Sequence, residues 1–101
     1  MSKRFVNVFA EQQRILILQL LESDVDGCLN NQLLQKGLEE FGHNISLDKV
    51  NTECAWLEEQ GCVETRVLNE DLVIVTITDV GIDVVKRRRR IPGIDLPVKG
   101  I

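Results

Sequence analysis

The amino-acid sequence contains no run of eighteen or more uncharged apolar residues, so no segment is built to span a bilayer. Nor is a secretory leader expected. Met1-Ser2-Lys3-Arg4 is basic, but the apolar stretch after it, Phe5 to Glu11, is short and soon broken by polar residues. The expected location is therefore the cytoplasm. Cysteine is sparse and odd in number: Cys28, Cys54 and Cys62, with no CxxC pair. Such thiols are expected to be reduced and mostly buried, as small hydrophobes. With His43 as the only histidine, they make a poor zinc constellation, and neither metal nor cofactor is expected. There is no glycine-rich phosphate loop, and a single histidine without a nucleophile beside it is no catalytic triad. An enzyme is not expected.

What is present is enough for one small core. The 101 residues are 44% apolar, which supports a single compact domain and leaves no room for a second. The net charge of −4 hides a polarity along the chain. Residues 1–85 carry six Lys/Arg and fifteen Asp/Glu, a net of −9, whereas residues 86–101 carry six Lys/Arg and one Asp, a net of +5. An acidic body with a basic tail implies a separate role for the tail.

The apolar periodicity defines the elements. Phe9 to Glu22, with Ile15, Leu16, Ile17, Leu18, Leu20 and Leu21, is apolar on most faces and reads as a central helix. Ser23 to Gly27 ends it. Cys28-Leu29 is a short extended piece, after which Asn30 or Asn31 caps a second helix bearing Leu33, Leu34, Leu38 and Phe41, with Gly37 weakening its middle. Gly42 suits a left-handed end to that helix. Ser46 caps a third helix, which Gly61 stops; Leu47, Val50, Cys54 and Leu57 form its buried arc, and Asp48, Lys49, Thr52, Trp56 and Glu59 lie opposite. From Val63 the period becomes two, and Val63–Leu68, the turn Asn69-Glu70-Asp71 and Leu72–Ile77 read as a hairpin. Thr78 caps a fourth helix running to about Arg88. The rest, with Pro92-Gly93 and Pro97, is expected to be extended or mobile.

Two helices joined by a short glycine-containing turn, followed directly by a hairpin, make a winged helix-turn-helix. The expected fold is mainly α with a small β-hairpin: a three-helix core, a wing and a C-terminal helix over residues 1–88, and a basic tail over residues 89–101. Val50–Val63 resembles the recognition helix and wing entry of ArsR- and MarR-like winged-helix regulators, with Cys62 where their Leu-Glu-x-x-Gly-Leu-Val run has leucine. Ile77-Thr78-Asp79-Val80-Gly81 resembles the Leu-Thr-x-x-Gly segment that follows the wing in those families. The resemblance spans Arg14 to about Val85. More narrowly, Ala55–Gly61, Gly81–Val84 and Arg90–Ile94 resemble small ArsR-type proteins of transposable Mu-like phages and prophages. Because one fold hosts many functions, the resemblance implies more about architecture than about activity.

It implies DNA binding by the third helix in the major groove. Ser46, Lys49, Asn51 and Thr52 would then approach base edges, Arg66 on the wing would reach the backbone, and Arg87, Arg88, Arg89 and Arg90 would hold phosphates. Electrostatics opposes this: the helix carries Asp48, Glu53, Glu58 and Glu59 against Lys49, and the wing tip is acidic. The alternative is a protein-interaction module with a phage or host protein as partner. Trp56 either packs under the wing or the first helix, or is an exposed anchor. Metal sensing, which the ArsR likeness raises, lacks the paired cysteines: Cys54 stands beside Glu53. A homodimer is expected from surplus apolar surface at Phe5, Val6, Val8, Phe9, Ile82, Val84 and Val85.

Overall fold

The computed structural model describes the backbone of residues 3–101 and the side chains from Asn7 onward; Phe5 and Val6, invoked above for dimerisation, lie outside the described side chains. The elements follow in the order α1 (Lys3–Ser23), β1 (Cys28–Asn30), α2 (Asn31–Glu40), α3 (Leu47–Glu59), β2 (Val63–Asn69), β3 (Leu72–Ile77) and α4 (Asp79–Val85). The sheet has the antiparallel order β1-β3-β2. The wing is thus anchored by a third strand, through Cys28 opposite Thr76 and Asn30 opposite Ile74.

Capping chemistry sets the helix starts. Asn30, Ser46 and Thr78 each accept a hydrogen bond from the backbone N–H three residues on, at Leu33, Lys49 and Gly81. The ends share one geometry. After α2 the N–H groups of Gly42 and His43 donate to Glu39 and Leu38, and after α3 those of Gly61 and Cys62 donate to Glu58 and Leu57. In this closure the residue after the cap is left-handed, and glycine occupies it in both cases. After α4 the same pair of bonds recurs, Arg87 to Val84 and Arg88 to Asp83, but the left-handed residue is Arg87, at φ 63°. The fourth helix therefore ends at Val85 and not near Arg88, and the arginines do not continue it.

The core forms around α1. Ile15, Leu16, Ile17, Leu18 and Leu21 are fully buried, together with Leu34, Leu38, Val50, Leu57, Val63 and Val75. The positions expected in the core, Leu18, Leu34, Leu38, Val50, Leu57 and Val63, are all in it. Gly37 faces Leu20 of α1 so closely that a Cβ there would stand 2.6 Å from a leucine methyl, so this glycine serves helix crossing. At Gly81 a Cβ would run into the Cys62 carbonyl, and Thr78 bonds the carbonyls of both Gly61 and Cys62. The Thr-x-x-Gly motif thus locks α4 against the end of α3.

The tail departs most from expectation, because it is held against the core. Ile94 is 3% exposed, and the Gln19 side chain takes both backbone groups of Val98, each at 2.9 Å. The Asp95 N–H donates to the Glu11 carbonyl. With the tail and the sheet as cover, Val84 is buried and Ile82 and Val85 are half-buried, so α4 does not leave the surplus apolar face expected of it.

Two stability outcomes are expected. Leu57→Ala should cost about 2–5 kcal/mol in a urea melt, as large-to-small core changes do. Arg87→Gly should raise the stability by up to about 1 kcal/mol, because glycine carries no steric penalty in the left-handed region; a lower urea midpoint would show that side-chain contacts of Arg87 outweigh its backbone strain.

Candidate nucleic-acid interface

The exposed stripe of α3 holds Ser46, Lys49 and Thr52, but each has a local partner. Ser46 Oγ accepts from the Lys49 N–H at 3.1 Å and keeps its own proton to donate. Thr52 Oγ1 donates to the Asp48 carbonyl at 3.0 Å and keeps its lone pairs. Lys49 Nζ lies 3.9 Å from Glu53 Oε2, with much of its side chain exposed.

Asn51 sits elsewhere. Its Oδ1 accepts from Asn31 Nδ2 at 2.9 Å, and Asn31, fully buried, accepts in turn from the Val73 N–H. This relay ties α3 to the start of α2 and to β3. Asn51 keeps its amide N–H groups and a second acceptor position on Oδ1. It lines a cavity of about 210 Å³ between α3 and the wing, with Cys54, Ala55, Thr65, Val67 and Val73. Because Thr65 and Val67 face this cavity, Arg66 lies on the opposite face of β2, away from the α3 stripe. Glu58 reaches from α3 to the wing and accepts from both the N–H and the hydroxyl of Thr65, at 2.8 Å each.

Glu53, expected to add negative charge to the surface of α3, is instead 1% exposed, and Leu47, placed in the buried arc, is only half-buried. The Glu53 carboxylate meets Arg14 of α1 at 3.4 Å and Lys49 at 3.9 Å. Nothing in the local sequence marks this, because Arg14 lies 39 residues away. The Arg14 guanidinium also lies 3.9 Å over the Trp56 ring, and its Nη1 donates to the Gly93 carbonyl at 3.0 Å. Trp56 is half-buried between the first helix and the tail, closer to the packing expectation than to an exposed anchor.

The basic run leaves α4 and crosses toward α3. Lys86 pairs with Glu22 at 3.0 Å and Arg88 with Asp83 at 3.1 Å. Among the described residues, no acidic group pairs with Arg66, Arg87, Arg89 or Arg90. Three residues beyond Arg90 the chain touches Trp56, so the cationic run lies on the segment that leads from the end of α4 to α3. The wing tip carries exposed Glu70 and Asp71 beside exposed Val67 and Leu68.

The thiols sit in apolar surroundings. Burial, reinforced by the charges of Glu53 and Glu58, pushes the Cys54 thiol up to about 12, and burial also raises Cys62. Among the described residues no three His, Cys, Asp or Glu side chains converge as a metal site, and no helix is long and apolar enough to cross a membrane.

This architecture, a helix-turn-helix followed by a wing and a closing helix, defines a winged-helix protein. Its fold matches RosR in two solved complexes, hsRosR-S1 and hsRosR-S4, each with a TM-score of 0.62 at 22% identity over 75% of this chain. The chain spans about 65% of the RosR chain's own length. No family profile matches it. The chain belongs to the family of gp26, an uncharacterized protein of Escherichia phage Mu: the two are 35% identical over 91 residues, covering 90% of this chain and 93% of gp26. A Haemophilus influenzae protein is 34% identical over 74 residues, covering 73% of this chain and 72% of its own.

With its thiol pushed to about 12, Cys54 has almost no thiolate at pH 8. Iodoacetamide at that pH should label half-buried Cys28 first and leave Cys54 intact in the folded chain, with mass spectrometry locating the adducts. Early labelling of Cys54 would mean that α3 opens locally. Because the folded thiol binds its proton more tightly than the unfolded one, this group's contribution to stability is complete below pH 9 and declines as pH rises from 9 toward 12.

Proposed function

We propose that this is a phage-type winged-helix protein that binds double-stranded DNA as a homodimer in a regulatory role, in the manner of ArsR- and MarR-like regulators, without enzymatic activity or cofactor. The observation that carries this reading is the set of unpaired arginines on the segment that runs from α4 to Trp56 of α3. Phosphate neutralisation supplies much of the affinity of such proteins, and the acidic body cannot provide it. In this reading Lys49 and Thr52 meet base edges, with Ser46 and the Asn51 amide as further donors. Arg87, Arg89 and Arg90 hold phosphates; Arg88 joins them once it leaves Asp83, and Arg66 touches the backbone from the wing. The internal position of Glu53 removes one of the charges that would oppose this. Residues 89–101 then act as a basic tail serving the body formed by residues 1–88. The second copy would meet exposed Val8 and Phe9 of α1, with Phe41 nearby in the chain's α2 closure.

A second reading, a protein-interaction scaffold, is favoured by the wing, where Val67 is 69% exposed next to an acidic tip.

Salt dependence separates the two. Replacing Arg87, Arg88, Arg89 and Arg90 with Ala should weaken duplex binding on all sequences and make log K against log salt shallower, by about 0.9 for each phosphate no longer neutralised. Thr52→Ala should lower discrimination between sequences and leave the slope nearly unchanged. If the intact chain fails to bind duplex DNA at low salt, the interaction reading takes over.

A further inference from the structure

Arg14 belongs to α1, yet its guanidinium joins three groups on two other parts of the chain: Glu53 and Trp56 of α3 and the Gly93 carbonyl of the tail. Each restrains it differently. Glu53, 1% exposed, requires a cation, because an unpaired carboxylate in that position is strongly unfavourable. The Trp56 ring holds the guanidinium carbon 3.9 Å from its centroid. The Gly93 carbonyl accepts a hydrogen bond from Nη1.

The tail is shaped to reach this group. Ile91-Pro92-Gly93-Ile94 is a turn closed by the Ile94 N–H on the Ile91 carbonyl, with proline at the second position and a left-handed glycine, φ 96°, at the third. A Cβ on residue 93 would stand 2.8 and 2.9 Å from two Trp56 ring carbons and 3.2 Å from Arg14 Nη1. The turn lies against the ring so closely that a side chain at residue 93 would clash with it. The arginine run is thus fixed at both ends. The left-handed closure at Arg87 redirects the chain off α4, and the Gly93 turn fastens it to α3. Arg90, three residues before Gly93, lies within about 11 Å of that turn.

We infer that Arg14 is a positioning residue for DNA binding: clasped by Glu53, Trp56 and the Gly93 carbonyl, it fixes the arginine run along the flank of the recognition helix. The inference rests on the DNA-binding reading above. Without the clasp the arginines still reach phosphates, but each must be ordered on binding. The penalty therefore falls on affinity and not on the number of phosphates neutralised.

Trp56 is the only tryptophan in the chain, so its fluorescence reports the clasp directly. The test uses the full chain and three variants, Arg14→Gln, Arg14→Lys and Gly93→Ala; the last leaves the Arg14–Glu53 pair intact if the Arg14 variants fold poorly. In all three, Trp56 emission should move to the red and acrylamide quenching should rise. Affinity for a random-sequence duplex should fall about tenfold with the salt slope unchanged, since the cost of ordering has changed and the phosphates neutralised have not. Lysine should not restore it, because an ammonium cannot lie flat on the ring while forking to two acceptors. Unchanged Trp56 emission in all three variants would overturn the clasp. Wild-type affinity despite shifted emission would make the clasp a packing device only, leaving DNA binding intact. Full rescue by lysine, or a slope shallower by about 0.9 in Arg14→Gln, would make Arg14 a direct phosphate ligand instead. Failure of the unaltered chain to bind duplex DNA would remove the functional reading, and the positioning role with it, whatever the fluorescence shows.

Discussion

One turn of α1, Ile15 to Leu18, has no exposed surface on any side. A surface helix buries a single stripe, so a helix buried all round must be covered all round. The rest of the molecule follows from this requirement. The helices α2 and α3 cover part of the circumference, and the sheet and α4 cover more. The tail completes it, with Ile94 inserted and Gln19 gripping the backbone at Val98. A segment rich in proline, glycine and charge would remain loose without such a demand. Here the core needs the apolar residues Ile91, Ile94 and Val98, and ordering them also fixes the arginines that precede them.

Much of this is legible in the sequence because it is local. The helix starts at Leu47 and Asp79 follow from the hydroxyls of Ser46 and Thr78, and the ends of α2 and α3 follow from Gly42 and Gly61. The change of period at Val63 marks the wing. What escapes depends on partners far away in the chain. Glu53 looks like a solvated acid on an exposed helix until Arg14 is seen beside it. Asn31 looks like a cap and is a buried bridge between α3 and β3. The tail reads as mobile because its holding groups, Glu11 and Gln19, belong to the first helix. The left-handed Arg87 has no local signal at all, since its residue type argues against that conformation.

These differences bear directly on the candidate interface. Counting charges along α3 sets Asp48, Glu53, Glu58 and Glu59 against Lys49. The folded chain changes that count, because Glu53 is internal and Glu58 is engaged by the Thr65 amide and hydroxyl. The strip that faces solvent is less acidic than the sequence of the helix suggests. The pleat of β2 turns Arg66 away from the cavity beside α3. Ser46 and Thr52 on the α3 stripe each spend part of their hydrogen-bonding capacity on local backbone groups and keep the rest.

In the proposed DNA-binding role, charge comes from beside the helix. At physiological ionic strength charges more than about 8 Å apart are largely screened, so a polyanion meets local patches and not a net charge of −4. What matters is where the positive patch stands. That position is not set by the arginines themselves, which are exposed and mutually repulsive. It is set by a strained residue at one end, Arg87, and by a glycine pressed on a tryptophan at the other. Arg87 occupies a conformation for which the same chain uses glycine in its two equivalent closures. A glycine there would close α4 equally well and carry no charge, as it does after α2 and α3. The fold gives up some stability at Arg87, and a cation is held where the chain turns from α4 toward α3.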